Sequence, residues 1–154
     1  MKINFIWIGK PKYKHTAEAV DMYISRLRHY TKVEIIQLRD VRFISPKKQK
    51  VEEAKLFQKY LKSDAFNVCL DEHGKAFTSM QLSQKITSFQ NMSIQCLNIM
   101  IGGAYGFDKS VLNQSNEKWS LSKMTLPHDL CRIILTEQLY RAFTIIRNEK
   151  YHNP

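Results

Sequence analysis

Residues 98–110, NIMIGGAYGFDKS, run from an apolar segment into three of the five glycines in the chain. In an open parallel sheet, ligands bind at the carboxyl ends of strands, where glycines let the backbone approach a ligand closely. The spacing of Gly102, Gly103 and Gly106 departs from the dinucleotide fingerprint, and Asp108 stands where a phosphate loop needs a glycine. A tight turn with positive φ and a ligand site therefore both stay open.

The chain around this stretch alternates short apolar runs with stretches of helical periodicity. Residues 3–8, 33–38, 66–70 and 96–101 are rich in β-branched and aromatic side chains, which predicts four buried strands. Residues 119–127 predict a fifth strand or an extended loop. Strands that alternate with helices imply one α/β domain over residues 1–154, with a mostly parallel sheet covered by helices on both faces.

Four helices and a short helical piece around Val111 and Leu112 are predicted between and after these strands. The first three helices have apolar faces formed by Ala17, Val20, Ile24 and Leu27, by Val51, Ala54, Phe57 and Leu61, and by Leu82, Ile86 and Phe89. Thr78 or Ser79 caps the third of them, and the fourth is a long apolar helix over residues 129–147. The last helix is apolar on more than one face, so it belongs either to the core or to a dimer interface. The basic stretch 39–50 contains Pro46 and predicts a loop.

The charge and cysteine content narrow the functional class. The 24 Lys and Arg residues against 14 Asp and Glu residues give a formal net charge of +10, which favours nucleic acid as a partner, ahead of an acidic membrane surface. Cys69, Cys96 and Cys131 are far apart in sequence and favour buried, reduced thiols over a disulfide or metal site. No signal peptide and no membrane span of roughly 20 apolar residues is predicted. We therefore expect a cytoplasmic protein without a metal.

Two more segments at predicted strand ends contain polar residues. LDEHGK, residues 70–75, predicts a turn after the third strand. LSKMTLPH, residues 121–128, offers Ser122, Thr125 and main-chain groups to a pocket, although its alternation is equally typical of a plain strand. Three strand-end segments that could converge indicate a site more strongly than one does.

Four segments of the chain resemble the bacterial pseudouridine N3-methyltransferases of large-subunit ribosomal RNA. They are the opening MKINFIWIGKPK, LDEHGK, IGGAYGF and the block from Trp119 to His152. These are small, single-domain members of the SPOUT class of methyltransferases, and the resemblance covers essentially the whole chain. It implies a SPOUT-type α/β fold with a C-terminal deep trefoil knot, a topology that general folding rules would exclude. It also implies a homodimer with S-adenosylmethionine bound in the knot.

The same resemblance implies which residues hold the cofactor. They lie in the three strand-end segments and are Leu70, Gly102, Leu121, Ser122, Lys123, Met124, Thr125 and Leu126. Main-chain groups and apolar walls would hold the adenine.

The implied reaction methylates N3 of a pseudouridine in 23S ribosomal RNA of the assembled ribosome. His128, Arg141, Tyr151 and His152 are the candidates for handling the proton and the developing charge. His128 is equally suited to cap the last helix, and Arg141 to form a helical ion pair with Glu137, four residues earlier.

Lysines are the expected contacts to RNA phosphates, with Tyr13 available for stacking. They are Lys10, Lys12, Lys14, Lys47, Lys48 and Lys50, although the last three also suit a solvated loop. Asn153 follows the Tyr-His pair where family members often carry a basic residue, so this chain departs from the family pattern at that position.

Two other functions remain open at this point. One is a SPOUT enzyme that modifies a ribose or a transfer RNA base, and the C-terminal YRAF and YHNP segments argue against it. The other is a non-catalytic ribosome-binding factor, which would not need the intact IGGAYGF and LSKMTLPH segments.

Overall fold

The structure, a computed structural model, describes residues 1–42 and 45–153. Phe43 and Ile44 of the predicted 39–50 loop, and Pro154, lie outside the described residues. The strands are β1 (Lys2–Ile8), β2 (Lys32–Leu38), β3 (Phe66–Ala76), β4 (Cys96–Ile101) and β5 (Glu117–Ser120). The helices are α1 (Lys14–Leu27), α2 (Pro46–Gln58), α3 (Ser79–Asn91), α4 (Lys109–Gln114) and α5 (His128–Ile146).

The five strands form one sheet in the order β2-β1-β4-β3-β5, and every described pairing is parallel. The central strands β1 and β4 are buried over almost their whole length, as their uninterrupted apolar runs predict. The predicted parallel α/β architecture is confirmed. The trefoil knot implied by the resemblance stays a prediction.

Helices cover both faces of the sheet, because side chains alternate along each strand. Phe5 and Trp7 of β1 pack with α1, α3 and α5 on one face, whereas Ile6 and Ile8 pack with α2 and α4 on the other.

The long helix α5 lies against both α1 and α3. Leu135, Leu139 and Phe143 of α5 therefore belong to the core of this face. Leu130 is exposed, so the alternative of a dimer interface stays a prediction for the outer apolar positions of the helix.

A row of buried asparagines crosses the sheet at the end opposite the glycine stretch. Asn4 Nδ2 donates to Asn98 Oδ1 at 2.8 Å, and Asn98 Nδ2 donates to Asn67 Oδ1 at 2.9 Å. These three residues are direct partners in the register of β1, β4 and β3. A slip of one residue would break both bonds, so the row specifies the pairing.

The loop predicted over residues 39–50 is wrong from Pro46 onward. Residues 46–50 begin α2, because Pro46 occupies the first helical position and the Ser45 hydroxyl accepts from the Lys48 amide at 3.5 Å. Val51, predicted on the apolar face of this helix, is exposed.

The turn predicted in LDEHGK is present as a bulge within a longer strand. β3 continues through it to Ala76, with a register shift opposite Trp119 between Leu70 and Lys75. Because Leu70 and Lys75 are both in register with Trp119, residues 71–74 have no partner in β5 and bulge out of the ladder, as their turn residues predict.

The other local predictions concern the start of α3, the extent of α5 and the cysteines. Thr78 caps α3 in a reciprocal capping box with Gln81, and the helix predicted over 129–147 spans His128–Ile146. All three cysteines are free; Cys69 is buried, whereas Cys96 and Cys131 are half-buried.

Candidate active site

A cleft of about 830 Å³ opens at the carboxyl ends of β3, β4 and β5. The three strand-end segments meet there, since the carboxyl ends of parallel strands share one edge of the sheet. Seven of the eight residues predicted to bind the cofactor line the cleft: Leu70, Gly102, Leu121, Ser122, Met124, Thr125 and Leu126. Lys123 does not line it. The role of these residues in binding stays a prediction.

The glycine stretch forms one wall of the cleft as a tight turn. The Gly106 amide donates to the Gly103 carbonyl at 2.9 Å, and Gly106 has a φ of +72°. A Cβ on Gly102 would lie 3.2 Å from the Gly106 carbonyl carbon and 3.3 Å from the Phe107 ring. The predicted turn with positive φ is thus confirmed and lines the cleft, while a ligand site at this turn stays a prediction.

The opposite wall is the segment that follows β5. Because β5 ends at Ser120, the alternative of a plain strand over 121–126 is wrong. The Met124 amide donates to Ser122 Oγ at 2.9 Å, and Thr125 Oγ1 donates to Glu72 Oε2 of β3 at 3.2 Å. Ser122 therefore shapes the loop, and Thr125 ties it to β3.

His128 is the one predicted catalytic residue that lines the cleft. It is the first residue of α5 and does not cap the helix, because Pro127 occupies the cap position. Burial lowers the pKa of its imidazole, as does the nearby Arg132 guanidinium, while Asp129 acts in the opposite direction. The lowered pKa favours a neutral ring that can accept a proton.

The other three catalytic candidates gather around Glu137 and do not line the cleft. Arg141 Nη2 donates to Glu137 Oε1 at 2.5 Å, and the Tyr151 hydroxyl donates to the same oxygen at 3.1 Å. His152 Nδ1 lies 3.4 Å from Arg141 Nη1. Burial raises the pKa of Tyr151, as do its contacts with Tyr23 and Glu137. The predicted ion pair between Arg141 and Glu137 is confirmed.

This cluster is far from the cleft along α5. Arg141 follows His128 by 13 positions, and 1.5 Å of rise per residue puts the two about 20 Å apart along the axis. Within one chain, the structure therefore does not bring Arg141, Tyr151 and His152 together with His128.

The predicted RNA-binding lysines form two groups. Lys10, Lys12 and Lys14 are exposed in the β1–α1 loop and at the start of α1. Lys47, Lys48 and Lys50 occupy the first turns of α2, so the alternative of a solvated loop is wrong for them. Lys50 also lines the cleft.

Lys109 was missed by the sequence reasoning although it stands within the opening stretch. It begins α4 and lines the cleft together with Lys50. Its position directly after Asp108, at the end of the glycine turn, was the available signal.

Over residues 1–42 and 45–153, no group of three or more His, Cys, Asp or Glu side chains is arranged to hold a metal ion. No helix in this part of the chain is long and apolar enough to cross a membrane.

The chain is similar to solved and curated proteins over its whole length. The structure of the SpoU methyltransferase AviRb of Streptomyces viridochromogenes, in complex with AdoMet, aligns with 97% of this chain and 59% of its own, at 12% identity and a TM-score of 0.45. The proteins named ribosomal RNA large subunit methyltransferase H of Parabacteroides distasonis, Christiangramia forsetii and Acetivibrio thermocellus are 42%, 40% and 39% identical, with 99% of each chain covered.

The family model described as "Predicted SPOUT methyltransferase" matches residues 1–152. With this match and these full-length relatives, the chain belongs to the SPOUT methyltransferase family.

Proposed function

We propose that this protein transfers the methyl group of S-adenosylmethionine to N3 of a pseudouridine in large-subunit ribosomal RNA. The observation that carries the proposal is the convergence of the segments around Leu70, Gly102 and Leu121 on one cleft. Full-length relatives named for methylation of large-subunit ribosomal RNA support the substrate class. We take residues 1–154 as one SPOUT domain.

The cleft suits the cofactor in size and chemistry. Its volume of about 830 Å³ falls in the range of ligand pockets. Leu70, Leu121 and Leu126 supply apolar walls, and the main chain at Gly102 supplies polar groups. Asp71 and Glu72 also line the cleft and place carboxylates near a cationic ligand. When bound, S-adenosylmethionine supplies an electrophilic methyl group on a sulfonium.

The chain's own contribution is mainly alignment. Holding two reactants in line can lower a barrier by about 7–11 kcal/mol, whereas general-base help contributes about a hundred- to ten-thousandfold in rate. This order of magnitudes agrees with the absence of any catalytic triad among the described residues that line the cleft. His128 is our candidate for accepting the N3 proton, because it lies in the cleft and its pKa is lowered.

The proposed enzyme is a homodimer. The cluster of Arg141, Tyr151 and His152 lies about 20 Å along α5 from the cleft of its own chain. If these residues stabilise charge on the base, they must reach the cleft of a second copy. The aromatic surface around them, where Arg26 lies over the rings of Tyr23 and Tyr140, offers apolar area for such a contact.

We assign RNA binding to the lysines of the β1–α1 loop and of α2. Lys10, Lys12 and Lys14 are exposed, and Lys50 and Lys109 stand at the cleft, where phosphates flanking the target base would pass. The ribosome, assembled in the cytoplasm, is the proposed substrate particle.

The proposal is tested by incubating the protein with labelled S-adenosylmethionine and ribosomes that lack the modification. Separated subunits and free ribosomal RNA are tested in parallel, and the labelled nucleotide is mapped. Label on N3 of a pseudouridine in the large subunit supports the proposal. Label on a ribose or on transfer RNA would assign the chain to another SPOUT activity, and ribosome binding without transfer would favour a binding factor.

A further inference from the structure

Glu53 of α2 is a buried acid directly behind the glycine turn. Only 3% of its surface is exposed. Gln49, one helical turn earlier and also buried, donates from Nε2 to Glu53 Oε1 at 2.9 Å. On the other side the carboxylate lies against the main chain of Gly103, close enough for the two to interact electrostatically. Glu53 thus links the helix on this face of the sheet to the wall of the cleft.

No cation pairs with Glu53 among the ion pairs of the described residues. The charged group that acts on it is another acid, Asp40. Burial raises the pKa of Glu53, and Asp40 adds to the rise, while Gln49 and the Gly103 main chain oppose it. A buried carboxylate without a counter-ion is costly, so its hydrogen bonds must account for its presence.

The absence of a side chain at Gly103 leaves the space that this carboxylate occupies. A Cβ on Gly103 would overlap both carboxylate oxygens of Glu53 and lie 2.6 Å from its Cδ. Gly103 is not among the residues with positive φ, so its backbone conformation does not require glycine. The missing side chain at this position is therefore explained by the close approach of Glu53.

The contact also determines where a cleft lysine stands. Lys50 lies three positions before Glu53, on the same side of α2, and lines the cleft. Through its contact with Gly103, Glu53 therefore anchors α2, the helix that carries one of the cations at the cleft edge.

We propose that Glu53 is a positioning residue of the cleft, whose carboxylate holds the turn of residues 102–106 in its binding conformation through the main chain of Gly103. This rests on the proposed function, in which the cleft binds S-adenosylmethionine.

The test compares S-adenosylmethionine affinity by calorimetry in four single variants and one double variant of the full chain. Glu53→Ala removes the acceptor and weakens binding about tenfold or more, the usual effect of losing a hydrogen bond to a charged group. Glu53→Gln keeps a carbonyl acceptor and restores most of the affinity. Glu52→Ala, at the neighbouring half-buried acid paired with Lys55, leaves affinity unchanged.

The double variant separates positioning from general stability. Gly103→Ala weakens binding in the parent chain because the new Cβ collides with Glu53, yet it adds no further loss when combined with Glu53→Ala. Urea unfolding of each variant identifies losses of folded protein. If Glu53→Ala does not fold, Glu53→Asp replaces it, since the shorter side chain relieves the same overlap.

Unchanged affinity in Glu53→Ala, or simple additivity in the double variant, would overturn the role of Glu53. If the parent chain binds no S-adenosylmethionine, the proposed function fails instead, so the two failures are distinct.

Discussion

Gly74 provides the sharpest structural test of the cleft, because it lies where β3 returns to β5 after the register shift. A Cβ there would lie 2.6 Å from the Lys118 carbonyl carbon and 2.7 Å from the Trp119 carbonyl carbon. Both are main-chain atoms, so no side-chain rotation can make room. Gly74→Ala must therefore push β5 away from β3 beside Leu70, which lines the cleft.

The expected cost follows from two contributions. Overpacking of this kind costs about 1–3 kcal/mol, and loss of a ladder hydrogen bond between the strands adds about 0.5–1.5 kcal/mol. Together Gly74→Ala should lower the free energy of unfolding by about 2–4 kcal/mol, a large part of the stability of an ordinary domain. Affinity for S-adenosylmethionine should fall as well, since the displaced strands carry cleft residues.

Urea unfolding followed by the fluorescence of Trp7 and Trp119 measures the change. Gly106→Ala is the matched control: no atom lies within 4 Å of its Cβ position, but its φ is +72°, so only a left-handed strain of about 1–2 kcal/mol applies. A loss below about 1 kcal/mol for Gly74→Ala, or a larger loss in the control, would refute the steric reasoning.

Three further predictions concern pH, the sheet and RNA. Burial lowers the pKa of His128 below its unfolded value, so the stability that this residue contributes is present above the unfolded pKa and is lost as the pH falls through the folded pKa. The free energy of unfolding, measured by urea titration at neutral and at acidic pH, should therefore drop less in His128→Asn than in the parent chain. Asn98→Leu leaves the buried amide of Asn4 and two acceptors unpaired, so thermal and urea unfolding should report a loss of about 3 kcal/mol or more. Lys12→Ala should reduce the slope of log affinity for ribosomes against log salt by about 0.7–0.9, whereas Lys59→Ala, at the far end of α2, should leave the slope unchanged.

The strands and most helices could be predicted because their burial follows their sequence periods. β1 and β4 are apolar throughout and central in the sheet, and the capping box at Thr78 marks the start of α3. The start of α2 was missed for a physical reason: its buried face carries Gln49 and Glu53. Polar residues on the inner face hide the helical period that apolar residues would show.

The site was predictable to the extent that it lies at strand ends. The segments around Leu70, Gly102 and Leu121 could be predicted to lie close together, because the carboxyl ends of parallel strands lie at one edge of the sheet. The place of Glu53 beside the cleft could not be predicted, since nothing local in the sequence relates this residue to the glycine turn. The distance between Arg141 and His128 could also be predicted, because in a continuous helix that begins near His128 the 13 positions between them correspond to about 20 Å along the axis.

The first turn of α5 joins the cleft to the basic loop. His128 and Cys131 line the cleft, while Asp129 accepts from the Lys12 amide at 2.9 Å and Arg132 Nη2 donates to the Ile8 carbonyl at 2.6 Å. The loop is thus held through its main chain, which leaves the side chains of Lys10 and Lys12 exposed for the RNA contacts that we propose. Because a reaction that depends on alignment needs the RNA and the methyl donor at a fixed separation, one helical turn that holds both elements supplies that constraint directly.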